Sequence, residues 1–205
     1  MDWFLITLPG LCLLIALVDL DAMHAGQFML ARPIILGPVL GCLLGRLGDG
    51  IWMGILMELY CLETLPLGHI IPPNAAVAVG STMMLLSAPH PLAAPLAFPA
   101  GLSLGHLFSR VEAAIRRRRN GWMRSLEQLI ATGKRVPWRL WLAKSLGIHV
   151  LAVGVFLYVA AMTVNPSLDL LWQWAPSEIR LGFEKAFEWA PWVGGTSLIY
   201  VFRPK

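Results

Sequence analysis

The chain has 205 residues, of which 57% are hydrophobic and only 14% charged; its net charge is +4 and its mean hydropathy +0.67. Soluble domains carry about 25% charged residues, so this composition argues against a water-soluble globule and for an all-α polytopic membrane protein. The basic balance is not read as nucleic-acid binding, because no aromatic-basic interleaving of a recognition module is present.

The length suits a bundle of about 6–7 transmembrane or re-entrant helices, each crossing taking ~20 residues. The chain begins Met1-Asp2-Trp3 without a positive leader, so a retained first membrane helix over Trp3 to Val18 is expected rather than a cleaved signal. Asp19 and Asp21 close that run and are read as interface residues. A polar stretch, "DAMHAGQFMLARP", follows. Pro33 to Gly45 is an apolar run of 13 residues between Arg32 and Arg46. That is too short to cross a bilayer at ~1.5 Å per residue and reads as a re-entrant or broken helix.

Gly37, Gly41 and Gly45 recur at intervals of four, and Gly50 and Gly54 repeat the spacing. Glycines so spaced line one helix face and let another backbone approach, so all five are expected at helix-packing contacts. Gly50 to Leu62 is again short and is interrupted by Glu58. Ile70 to Ala88 could span but starts with Pro72-Pro73, and Pro91 to Phe108 carries several helix breakers. The N-terminal half is therefore predicted to contain interrupted helices.

Ten of the 16 Lys and Arg residues lie between Arg110 and Lys144, with "RRRRN" at the centre. Such a segment is normally held in the cytoplasm and favours anionic lipid. It is expected to be a basic cytoplasmic loop over 110–139, with an amphipathic helix near Trp122 to Ile130. It would divide an N-terminal membrane bundle (1–109) from a C-terminal membrane portion (140–205). Ser145 to Val164 reads as a clean crossing closed by Asn165-Pro166. Leu168 to Trp189 looks interfacial, and Pro191 to Phe202 is too short to cross. Cys12, Cys42 and Cys61 are read as small buried residues, without metal-ligand spacing. His24, His90, His106 and His149 are read as structural.

The stretch "MELYCLETLPLGHIIPPNAA", from Met57 to Ala76, concentrates polar and helix-breaking residues inside apolar surroundings. Charges at membrane depth cost ~2.5–3.5 kcal/mol each and mark functional sites. Interrupted helices with polar groups at mid-depth are the usual build of a transporter's binding site. Carboxylates accept hydrogen bonds from vicinal hydroxyls, and an amide such as Asn74 both donates and accepts. The competing reading of Glu58 is a structural carboxylate that pairs with Arg32 or Arg46, or caps a broken helix. No nucleophile-base pair or phosphate loop is found, so neither catalytic residue nor cofactor is expected.

Several of these residues form a recognisable pattern: Gln27, Arg32-Pro33, Leu44-Gly45, Gly50, Gly54, Glu58-Leu59, Gly68, Pro73 and Asn74-Ala75-Ala76. In this the chain resembles the IIC component of the mannose/fructose/sorbose family of the phosphoenolpyruvate-dependent sugar phosphotransferase system, most specifically over about Asp19 to Leu86. The resemblance implies an integral protein of the bacterial inner membrane that binds and moves a hexose-type sugar. It implies a hetero-oligomer with a IID membrane subunit, served by the cytoplasmic phosphocarriers IIA and IIB. Substrate-binding candidates are then Glu58, Asn74, Gln27, Glu63, His69 and Arg32. A second reading keeps the fold without transport, as a shortened regulatory or assembly protein.

Overall fold

The computed structural model describes residues 2–23, 26, 28–61, 73–132 and 137–201. Seven α-helices and no strand occur among them. A wide turn over Trp3–Thr7 leads into α1 (Leu8–Met23); then come α2 (Pro33–Leu43), α3 (Leu47–Cys61), α4 (Ala75–Ser87), α5 (Ala94–Ala131), α6 (Trp138–Trp174) and α7 (Ser177–Val201). Two of the helical segments, Trp3–Ala22 and Trp138–Trp174, are long and apolar enough to cross a membrane.

Helix α4 is the centre of the bundle. It is apolar on every side, which suits a buried helix, and every residue from Ala76 to Leu86 is buried. Its two hydroxyls need no outside partner: Ser81 donates to the Val77 carbonyl and Thr82 to the Ala78 carbonyl. It packs on α5, on α1 and α6, and on α2 and α3. Outward faces of α1, α2, α3 and α6 carry exposed large apolar residues, among them Leu13, Leu17, Val39, Ile51, Leu151 and Val155.

Helices α2 and α3 form a hairpin, with four of the five glycines at its seam. A Cβ on Gly37 would lie 2.5 Å from the Gly50 carbonyl oxygen, one on Gly41 2.9 Å from the Gly50 Cα, and one on Gly54 2.6 Å from the Pro33 carbonyl oxygen. Gly45 departs from the expectation. It lies at the hairpin tip, where a Cβ would meet nothing within 4 Å. Its φ of 68° is left-handed, the conformation glycine adopts just beyond a helix end. There the Arg46 N–H donates to the Gly41 carbonyl at 2.7 Å and the Gly45 N–H to that of Cys42 at 3.3 Å, closing α2 with a Schellman turn. Arg46 then ties the tip down through Asp49, at 2.6 Å, and the Leu86 carbonyl near the end of α4.

Four other expectations are corrected. The basic segment is not a loop from Arg110: it continues α5 unbroken to Ala131, its residues being mostly good helix formers. Helix α6 does not stop at Asn165-Pro166 but carries Pro166 within it to Trp174. The residues after Leu168 complete α6 and build the 25-residue α7, which includes Pro191. Cys42 is exposed on α2 rather than buried.

In the basic half of α5, Glu112 is buried and takes a 2.6 Å ion pair from Arg116, one turn on. Arg119 donates to the Ser145 carbonyl of α6. Burial, and then the Arg116 charge, pull the Arg119 guanidinium below its usual value, while Glu112 opposes them.

Candidate functional site

Two polar clusters interrupt the apolar interior. The first closes the open end of the hairpin. Glu58, in the last turn of α3, accepts from Arg32 Nε at 3.0 Å and from the Ile34 backbone N–H at 3.3 Å. Pro33 opens α2, and its missing N–H is of no consequence at that position. Glu58 thus places a carboxylate against the positive end of α2. Its side chain is 12% exposed and that of Arg32 46%, so the pair is half open on one side.

The second cluster joins three helices. Asn74 caps α4, its Oδ1 accepting from the Val77 N–H at 2.8 Å. Its Nδ2 donates to Asp19 Oδ1 at 2.9 Å. The other oxygen of Asp19 lies 2.7 Å from His149 Nε2 on α6. Asp19 and His149 are 3% and 2% exposed, so this is a polar contact in the heart of the bundle. A bond from the Asn74 N–H to the Gly105 carbonyl brings α5 to the same level.

Asp21, half a turn further along α1, has another task. Its two oxygens accept from the Phe28 and Leu30 N–H groups at 2.8 and 2.7 Å. Between them Met29 takes a left-handed φ of 66°. The carboxylate holds the strained turn that feeds the chain into α2.

Glu58, Arg32 and Asn74 therefore each lie in one of these clusters. Gln27, Glu63 and His69 lie outside the described residues. Asp19 and Asp21 are not interface residues: both are buried, because each carboxylate is met by two partners. The sequence did offer a signal for Asp19 and His149, an acid and an imidazole in otherwise apolar helices, which at membrane depth call for partners. It does not say that they are each other's.

Chemically, the two carboxylates retain lone pairs beyond those in use, and Asn74 has a second amide proton. Such groups bind and orient hydroxyls.

The sequence profile of the family described as "PTS system sorbose-specific iic component" matches residues 5–203. An Escherichia coli (strain K12) protein, provisionally named N-acetylgalactosamine permease IIC component 2, is 30% identical over 102 residues, 46% of this chain and 77% of its own length. Among solved structures, one titled "Structure of membrane protein" superposes with a TM-score of 0.78 at 18% identity, over 97% of this chain and 81% of the other. A cryo-EM structure of the mannose transporter ManYZ with microcin E492 gives a TM-score of 0.66 at 17% identity, over 100% and 81%. At such identities these two likenesses speak for the fold. With the profile spanning nearly the whole sequence, the chain belongs to the sorbose-specific IIC component family of the sugar phosphotransferase system, and is an integral membrane protein.

Proposed function

We propose that this IIC subunit binds a hexose-type sugar at its buried polar groups and carries it across a bacterial inner membrane. The basic half of α5 lies on the cytoplasmic side, as the distribution of Lys and Arg favours. A IID subunit completes the pathway in the membrane, and the phosphocarriers IIA and IIB deliver the phosphoryl group to the emerging sugar. The observation that carries the reading is the pairing of a family match over residues 5–203 with carboxylates held near the ends of helices inside an apolar bundle.

In this reading Glu58, Arg32 and Asn74 contact the sugar, and Asp19 and His149 hold Asn74 in place. Gln27, Glu63 and His69 are candidates for the same path. The relative's name makes N-acetylgalactosamine the first sugar to try, beside mannose, fructose and sorbose.

The test is uptake of radiolabelled sugar into vesicles that hold this chain and its co-purifying membrane partner, with phosphoenolpyruvate and the soluble phosphocarriers inside. Wild type is expected to accumulate sugar phosphate. Glu58→Gln is expected to fall about tenfold or more at equal folded amount, because hydrogen bonds to charged groups are worth ~1.5–3 kcal/mol. Background counts from wild type with every sugar would defeat the transport reading and favour a regulatory or assembly role.

A further inference from the structure

A cleft lies far from these clusters. It has a volume of about 420 Å³ and is walled by Phe4 in the wide turn before α1, by Pro89 and His90 between α4 and α5, and by the last turns of α6. Ligand pockets generally fall at ~300–1,000 Å³. Helices α1 and α6 run antiparallel, since Asp19 meets His149 while Phe4 shares this cleft with Asn165. At ~1.5 Å per residue the cleft is therefore roughly 24 Å along α6 from His149. The basic half of α5 continues beyond Gly105, at the opposite end of the bundle.

The lining of the cleft carries an unusual stripe. Asn165, Asp169 and Gln173 follow one another at intervals of four on α6, so they share a face. Gln173 Nε2 donates to Asp169 at 3.0 Å. Asn165 is only 8% exposed, yet its Oδ1 has no hydrogen-bond partner among the described residues. Leaving a buried acceptor unpaired costs about 1–3 kcal/mol, and such atoms in native proteins call for an explanation. Pro166 adds to the unmet demand. It has no N–H, so the Met162 carbonyl, on another lining residue, loses its usual donor. The wall is thus rich in acceptors: an amide oxygen, a carboxylate and a main-chain carbonyl. Phe4 and Pro89, across from α6, and Leu170 on α6 itself add apolar surface, with His90 beside Pro89.

We infer that this cleft is an outer capture site for a hydroxyl-rich solute of the hexose class, occupied before the buried polar groups are reached. Hydroxyls supply the donor that Asn165 Oδ1 lacks, and further donors to Asp169 and to the Met162 carbonyl. The C–H face of a pyranose ring suits the apolar side. The inference rests on the transport reading above, which makes the solute the transported sugar and this end the outer one. Hydroxyls of a glycerol-headed lipid have the same chemistry and are separated from sugar by the experiment.

Single cysteines are placed at exposed lining residues, His90→Cys in one chain and Leu170→Cys in another, each co-expressed with the membrane partner. A membrane-impermeant maleimide is added to cells, and labelling is measured above that of the parent chain. N-acetylgalactosamine, mannose, fructose and sorbose are offered as protectants. The transported sugar is expected to slow labelling at both positions, about fivefold once it stands at about four times its Kd. Asn165→Leu and Asp169→Asn, each introduced beside the reporters, are expected to abolish protection, and Glu58→Gln to leave it. Absence of protection at both cysteines with all four sugars overturns the inference. Uptake measured in the same cells separates the cases: uptake without protection removes the capture site alone, and loss of both removes the transport reading with it. In proteoliposomes, protection that follows the phosphatidylglycerol content rather than the sugar gives the cleft to lipid and likewise overturns the inference.

Discussion

Leucine at Gly50 is expected to leave little folded protein, and alanine there or at Gly37 to lower stability by about 3 kcal/mol, the upper end of what overpacking costs. The reason is the identity of what the new side chain meets. A Cβ on Gly50 would lie 2.7 Å from the Gly41 Cα and 3.0 Å from its nitrogen, and one on Gly37 would lie 2.8 Å from the Gly54 Cα. These are main-chain atoms of the facing helix, so no rotamer change relieves the overlap. The hairpin must open instead, and Glu58 would then lose its place at the start of α2. Alanine ordinarily gains ~0.5–1 kcal/mol over glycine inside a helix, so the clash has to exceed that gain. Gly154 is the control, since a Cβ there meets nothing within 4 Å. Gly154→Ala is expected to be neutral or slightly stabilising. Unfolding in mixed detergent micelles, followed by circular dichroism, ranks the variants; equal stability of Gly50→Ala and Gly154→Ala would refute a backbone-to-backbone seam.

That seam is also the part of the fold most legible in the sequence. Glycines at intervals of four state both a helix and a close neighbour, and the hairpin arranges four of them so. Gly45 continues the interval but belongs to the turn, because helix α2 ends two residues before it. Spacing alone cannot tell a seam from a cap. Helix ends were less legible for the same physical reason. Asn165-Pro166 looks like a stop, yet a proline in a long helix costs only local hydrogen bonds, and packing along the rest of α6 can outweigh them. The run of arginines looks like a loop because charge signals solvent, but arginine is also a good helix former, and α5 simply extends out of the apolar bundle. For the site, Glu58 and Asn74 stood out as polar residues beside breaks in apolar runs. Arg32 is one of the two cations the sequence offers as a partner for Glu58, and the structure pairs them; the partners of Asn74 had no such signal. The contact of Asp19 with His149 joins residues far apart in the chain, and no local pattern encodes a long-range pair.

Removing one member of that pair is expected to have the other large effect. Taking one partner from a buried, hydrogen-bonded ionisable pair costs about 3–5 kcal/mol, because the survivor stays in the interior without that partner. Asp19→Leu removes a partner from both His149 and the Asn74 amide, so it should be the harsher single change; His149→Leu takes one partner from Asp19 and leaves its bond with Asn74. The double variant, leucine at both positions, is expected to recover most of the loss, since well-packed apolar pairs often replace buried ion pairs at little cost. One unmet amide proton on Asn74 remains, worth about 1 kcal/mol. The same detergent unfolding measures all three, and near-additive losses would show that the two residues are not coupled. Uptake of the double variant then decides what the contact is for. If folded amount returns and sugar accumulation does not, the polar contact holds Asn74 in the geometry the solute needs. If both return, Asp19 and His149 only join α1 to α6, and the solute does not need them to hold Asn74.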